Sequence, residues 1–255
     1  MLKFKIAHAG FTHVGMKRDH NEDAYVIDPE QGLYIVADGM GGHNSGEIAS
    51  KMAIETVVNF FRATNADNEV TWPYKYDRSM DEAENRLTVS AKLANSRIWE
   101  MSQRNDLYRG MGTTLVLLHV CNDLTYLVNV GDSRAYLFRD GKLVQQTEDH
   151  SLLNDYLKSG RITPAEAETF PHKNVIIRAL GIKKEVQVDI FRIPPRRSDV
   201  FLMCSDGLSD MVPTDVLEDI LLTTPDIRTA SKLLVREANQ RGGNDNITVV
   251  LAQIV

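Results

Sequence analysis

Three aspartates far apart in the chain each stand at the edge of an apolar run, beside glycine or asparagine. Leu33 to Ala37 leads into Asp38-Gly39, Val200 to Cys204 leads into Ser205-Asp206-Gly207, and Gly242-Gly243-Asn244-Asp245-Asn246 opens the run Ile247 to Val255. Apolar runs of this length bounded by turn residues predict buried strands. A carboxylate at the tip of such a strand is held rigidly and half out of water. Any one of the three reads equally well as a turn residue, because Asp bonds its own backbone in turns. All three share one explanation if the tips converge, since converging carboxylates repel unless a cation sits between them. Oxygen donors with no His or Cys cluster at zinc spacing suit Mg²⁺ or Mn²⁺. Two such ions about 3.5–4 Å apart can lower the pKa of a bridging water and clamp an in-line attack at phosphorus.

Arg18 fits that chemistry, because a guanidinium binds two phosphate oxygens at once and orients the ester. Taken alone it is a surface arginine, and Glu22-Asp23 beside it is a solvated acidic pair; their closeness in sequence points both toward a site. Other chemistries are disfavoured. Ser133 lacks the Gly-x-Ser-x-Gly elbow of a serine hydrolase. Leu127 and Asp210 stand six residues after the two cysteines, where a cysteine-based phosphatase needs arginine. There is no Gly-x-x-x-x-Gly-Lys loop for a nucleotide. His8, His13, His20, His119, His150 and His172 form no constellation in the sequence.

Strands are predicted at Phe4 to Ala9, Asp23 to Asp28, Leu33 to Ala37, Thr114 to Val120, Thr125 to Val130, Arg134 to Arg139, Val186 to Ile190, Val200 to Cys204 and Ile247 to Ile254. Thr114 to Val144 reads as a meander turning at Asn122-Asp123 and Asp140-Gly141. Helical spacing marks Gly46 to Arg62, Met80 to Arg104, Val212 to Leu222 and Ile227 to Gln240. Grouped antiparallel strands with paired helices predict stacked sheets with helices on their outer faces. Asp149 to Gly181 differs: Gly160 ends one short helix and Thr163-Pro164-Ala165-Glu166 caps another. This insert is either a flap over a site or a plain surface excursion. Thr64 to Ser79 reads as a long loop, whose Trp72, Tyr74 and Tyr76 either meet a partner or pack back on the helices.

With 255 residues, 43% hydrophobic and 25% charged, the chain has the composition of an ordinary globular protein that needs no disulfide staples. Cys121 and Cys204, both inside apolar runs, read as small buried hydrophobes in a reducing compartment. A net charge of −6 disfavours nucleic acid or an anionic membrane as partner. No apolar run approaches the roughly 18–20 residues of a membrane span, and the N-terminus lacks a signal-peptide core, so a cytoplasmic protein is expected.

The ordered motifs resemble the protein phosphatase 2C family of metal-dependent Ser/Thr phosphatases, most of all its small bacterial members. They are Thr12 to Asp23, Val36-Ala37-Asp38-Gly39-Met40-Gly41-Gly42-His43, Met111-Gly112-Thr113-Thr114, Asn129 to Arg134, Cys204-Ser205-Asp206-Gly207-Leu208 and Gly242 to Val249. The resemblance implies an α+β fold, a four-layer αββα sandwich of two antiparallel sheets flanked by helices, in a single catalytic domain over residues 1–255 with its flap at about 149–181. It implies two ions, Mg²⁺ or Mn²⁺, and a third. Asp38 would bridge two of them, the Gly39 carbonyl would bind one, and Asp206 and Asp245 would complete the other's shell. Asp23 would hold metal-bound waters, with Glu22 and Asn246 in support, and Asp132 with Asp206 would take the third ion. Arg18 would grip the phosphate of phosphoserine or phosphothreonine, hydrolysed by attack of the bridging water. Met40 stands where eukaryotic members carry a histidine proposed as general acid. That leaves His43, or a water on the third ion, to protonate the leaving group. The expected partners are phosphorylated proteins, substrates of a cognate Ser/Thr kinase, met by a monomer. The alternatives are a silent regulator that binds phosphoproteins or kinases, and a phosphatase of small phosphate esters.

Overall fold

The strands with unbroken apolar runs are those buried on both faces. In the computed structural model, which describes residues 5–42, 45–66, 71–121, 124–167, 169–172 and 175–255, two antiparallel sheets lie face to face. One orders β1 (Ile6–His13), β11 (Ile247–Ile254), β10 (Val200–Cys204), β7 (Arg134–Arg139) and β8 (Lys142–Gln145). The other orders β2 (Asp23–Asp28), β3 (Leu33–Met40), β5 (Leu115–Cys121), β6 (Leu124–Val130) and β9 (Asp189–Ile193), with the short β4 (Gly112–Thr113) paired to β3.

Alternation along each strand divides its side chains between two cores. Tyr34, Val36, Val116, Leu118 and Leu127 meet Ala135, Phe201, Met203, Val250 and Ala252 between the sheets. On the other face of β3, Leu33, Ile35 and Ala37 pack against α1 (Ser45–Ala66) and α2 (Glu82–Arg104). On the other face of β10, Leu202 and Cys204 pack against α6 (Thr214–Thr223) and α7 (Ile227–Gln240). The result is the expected order of helices, sheet, sheet, helices. No helix among the described residues is long and apolar enough to cross a membrane.

Several boundaries differ from the sequence reading. The supposed meander is split between sheets: β5 and β6 pair in one, β7 and β8 in the other. Gly131, at φ 118°, turns the chain across, and a Cβ there would lie 2.6 Å from Thr114 Cγ2. The turn at Asn122-Asp123 lies outside the described residues, as does Phe4, while Asp140-Gly141 forms the β7–β8 turn with both residues at positive φ. The strand expected at Val186 begins instead at Asp189, where pairing with β6 becomes possible. Helix α1 runs on to Ala66, so the predicted loop starts later than Thr64, whose hydroxyl bonds back to Phe60 O at 2.8 Å. Trp72 packs edge-on against Phe60 at 5.6 Å. Cys204 is fully buried, whereas Cys121 at the end of β5 is only half-buried.

The insert leaves and rejoins the body at one place. Ser151 bridges Ile176, and Ile177 N–H donates to His150 O at 2.9 Å. Between them lie α3 (Leu152–Lys158) and α4 (Pro164–Ala167), neither contributing a buried residue. The capping box is present, with Thr163 and Glu166 bonded reciprocally.

Candidate active site

The edge where the two sheets meet gathers the acidic residues. Antiparallel register sets Asp23 directly across from Asp38. Asp206 opens α5 (Asp206–Ser209) immediately beyond β10, and Asp245 precedes β11, the strand next to β10. Asp132 sits on the crossover between β6 and β7.

These carboxylates share one electrostatic environment. Asp38 and Asp206 keep some accessible surface, yet both are held well above the usual carboxylate range. For Asp38 the largest cause is burial, followed by the charges of Asp23, Asp206, Asp132 and Asp245. For Asp206 it is burial, then Asp132, Asp210, Asp245 and Asp23. Burial raises Asp23 to about 6, against hydrogen bonds from Thr248 and Ser205. Burial, then Asp149, raises Asp132 to about 7.

Do these residues suit a divalent ion? One oxygen each of Glu22, Asp23, Asp132 and Asp206 is buried with no hydrogen-bond partner. An unpaired buried carboxylate oxygen is costly, and an oxygen-seeking cation would satisfy several at once. The donor set therefore fits Mg²⁺ or Mn²⁺. Among the described residues no three such groups already stand together at ligating distance. Arg18, with 53% of its side chain exposed, donates to Asp245 Oδ2 at 2.7 Å. Arg18 is thus beside the cluster, held by one of its acids.

The backbone around the carboxylates is pinned. Asp38 N–H donates to Thr114 Oγ1 at 2.9 Å, and Thr113 Oγ1 donates to Asp38 O at 2.9 Å. Thr114 Oγ1 in turn meets Ser133 Oγ at 2.7 Å, so one chain of hydroxyls joins the Asp38 strand to the Asp132 crossover. That is what the Thr113-Thr114 pair and the buried Ser133 do. Ser205 Oγ donates to Asp23 Oδ2 at 2.7 Å. Asn246 straps the Arg18 loop to β11: its Oδ1 accepts from Glu22 N–H at 2.8 Å, and its Nδ2 donates to Val14 O and His20 O at 2.9 and 3.0 Å. Gly39 passes so close to α1 that a Cβ would lie 2.1 Å from Gly46 O. His43 lies outside the described residues.

Sequence reasoning missed a second ring of residues. His150 Nδ1 accepts from Gly131 N–H at 3.0 Å, and His150 N–H donates to Gly131 O at 2.9 Å. Its Nε2 lies 3.0 Å from Asp189 Oδ2, and Arg178 donates to the other oxygen of Asp189 at 2.8 Å. Because Nδ1 accepts, Nε2 carries the proton and donates to Asp189. Arg134 holds Asp149 through both carboxylate oxygens. The base of the insert therefore grips the crossover that carries Asp132. No periodicity joins positions 131, 150, 178 and 189; the only local signal is the His150-Ser151 step into a helix cap. Asp210, one turn beyond Asp206, was also missed and adds to the field on Asp132 and Asp206.

Comparison with known proteins agrees with this layout. Residues 12–242 match the family model for protein phosphatase 2C. The chain is 38% identical over 250 residues to the serine/threonine phosphatase stp of Listeria welshimeri, covering 96% of this chain and 95% of that one. Its fold superimposes on serine/threonine phosphatase Stp1 from Staphylococcus aureus with a TM-score of 0.87 at 35% identity, covering 100% and 97% of the two chains. The catalytic domain of serine/threonine protein phosphatase PstP, solved in complex with two manganese ions, gives 0.82 at 33% identity over 98% of each chain. With the two-sheet fold and the acidic edge in place, the near-complete coverage leaves one assignment: the chain belongs to the protein phosphatase 2C family.

Proposed function

We propose that the chain is a protein-serine/threonine phosphatase that uses Mg²⁺ or Mn²⁺ to hydrolyse phosphoserine and phosphothreonine in cytoplasmic proteins. The observation that carries this reading is the convergence of Asp23, Asp38, Asp132, Asp206 and Asp245 at one edge, with unpartnered buried oxygens on three of them. When bound, two ions lower the pKa of the attacking water and offset charge at the phosphoryl oxygens. Asp38, the Gly39 carbonyl, Asp206 and Asp245 would hold these two ions. Asp23 and Glu22 would orient water, and Asp132 with Asp206 would hold a third ion. Arg18, now paired with Asp245, would turn to the substrate phosphate, which would free Asp245 to hold an ion. Phosphate binding in this way is bidentate and orients the ester for in-line attack. His43, or a water on a third ion, would supply the leaving-group proton, and the insert at about 149–181 covers the site as a flap on a single catalytic domain spanning 1–255. The protein works as a monomer opposite a cognate Ser/Thr kinase.

The test is hydrolysis of a phosphothreonine peptide by protein stripped with EDTA and checked by elemental analysis. Activity should vanish and return with Mn²⁺ or Mg²⁺. Full turnover by the stripped protein would overturn the reading.

A further inference from the structure

An apolar groove of about 520 Å³ lies between β1, the Met16 loop and α7. Its floor is Phe11, Met16 and Val235, and its wall carries Lys232 and Arg236. Met16 is 63% exposed, although a methionine is normally buried. Its backbone is fixed, with Met16 N–H donating to Gly243 O at 2.7 Å. Lys232 and Arg236 stand one helical turn apart on the same face. Among the described residues neither makes an ion pair, whereas nearby Arg241 is taken by Glu237 at 2.7 Å. The chain as a whole carries −6, yet the groove lining contains two cations and no carboxylate.

The groove borders the loops that carry Arg18 and Asp245. Met16 is two residues from Arg18, at most about 7 Å along the backbone. Gly243 is likewise two residues from Asp245. An extended peptide advances about 3.3 Å per residue. A substrate whose phosphate lies at Arg18 would therefore reach Met16 about two residues away and place residues about three to five positions away beside Lys232 and Arg236 across the groove.

We propose that this groove is the docking subsite for the segment flanking the phosphorylated residue, and that it selects substrates carrying acidic side chains beside an apolar one. The proposal rests on the phosphatase reading above and names the substrate class within it. The apolar residue covers Phe11, Met16 and Val235. The acidic residues pair with Lys232 and Arg236, which have no partner of their own among the described residues.

The experiment measures kcat/KM with Mn²⁺ for phosphothreonine peptides bearing Asp-Asp, Ser-Ser or Lys-Lys three to five residues before or after the phosphothreonine. p-Nitrophenyl phosphate, which has no flanking segment, is the control. Each exposed pair contributes modestly, so two pairs should favour the acidic over the neutral peptide about 2- to 30-fold on one side. The preference should fade as salt rises. In the double variant Lys232→Glu, Arg236→Glu the ranking should invert toward Lys-Lys, with p-nitrophenyl phosphate turnover unchanged. Equal rates on acidic and neutral peptides, or an unchanged ranking in the double variant, would overturn the proposal. So would a wild-type dimer in analytical ultracentrifugation that the double variant dissociates, which would assign the groove to a second copy of the chain. Absence of metal-dependent turnover on every substrate, the control included, would sink the phosphatase reading itself, and this subsite with it.

Discussion

Asp132→Asn should make the metal-free protein more stable while lowering turnover once Mn²⁺ or Mg²⁺ is supplied. Asp132 is 8% exposed, and burial with the charge of Asp149 lifts its carboxyl from 3.8 to about 7. In the unfolded chain it titrates near its ordinary value. Between about pH 4 and 7 the native state therefore binds more protons than the unfolded state, and stability falls as pH rises through that window. At pH 8 the penalty for holding the charged form is about 4 kcal/mol, at 1.36 kcal/mol per pH unit. An asparagine removes the charge but leaves an amide to solvate, so a gain of about 1–4 kcal/mol is expected. For a chain of this size that is roughly 2–16 °C in Tm. At pH 5.5 the gain should shrink to about half, because the wild-type carboxyl is then largely protonated. The assay is thermal unfolding by circular dichroism in EDTA at pH 5.5 and pH 8. Adding Mn²⁺ should raise Tm more for the wild type than for the variant, since an ion that binds only the native state stabilises it by mass action. A variant that melts at or below wild type at pH 8 in EDTA would refute the electrostatic argument.

Asp38→Asn should be the most damaging single change to turnover, ahead of Asp206→Asn and Asp245→Asn, in Mn²⁺-supplemented assays; equal activity in Asp38→Asn would remove its bridging role. Arg18→Ala should lower kcat/KM on a phosphothreonine peptide about 10- to 100-fold, from loss of a charge-assisted phosphate contact, and a fall of less than about twofold would take Arg18 out of the site. His150→Ala leaves Gly131 N–H buried without its acceptor and should cost about 1–3 kcal/mol in urea unfolding, whereas His150→Asn restores an acceptor oxygen near Nδ1 and should recover part of it; an Asn variant no better than Ala would mean that bond contributes nothing. His43→Ala should slow phosphothreonine peptides much more than p-nitrophenyl phosphate, by about 10²-fold or more if it is the general acid, and equal losses on both substrates would assign it to positioning.

The amino-acid sequence by itself determined what depends on neighbours along the chain. The runs ending at Ala37, Cys204 and Ile254 are apolar because their strands are covered on both faces, and that pattern survives without knowledge of the partner. The capping box at Thr163 and the turn at Asp140-Gly141 are local chemistry and were legible for the same reason. So were the acidic tips, since only a carboxylate in a glycine-rich turn at a strand end stands out from ordinary surface charge. Which strand lies beside which was decided by tertiary packing. β6 and β7 are adjacent in sequence and read as parts of one meander, yet they belong to different sheets, because burying Leu127 and Leu137 in one shared core requires the sheets to face each other. That crossing carries Asp132 to the acidic edge and brings Gly131 within reach of His150. Arg18 meets Asp245 across 227 positions of sequence, and Asn246 reaches Glu22 across 224. Hydrogen bonds of that span leave no periodicity to read. They form because two sheets, each closed by its own helices, stack in a single register and bring distant loops to the same edge.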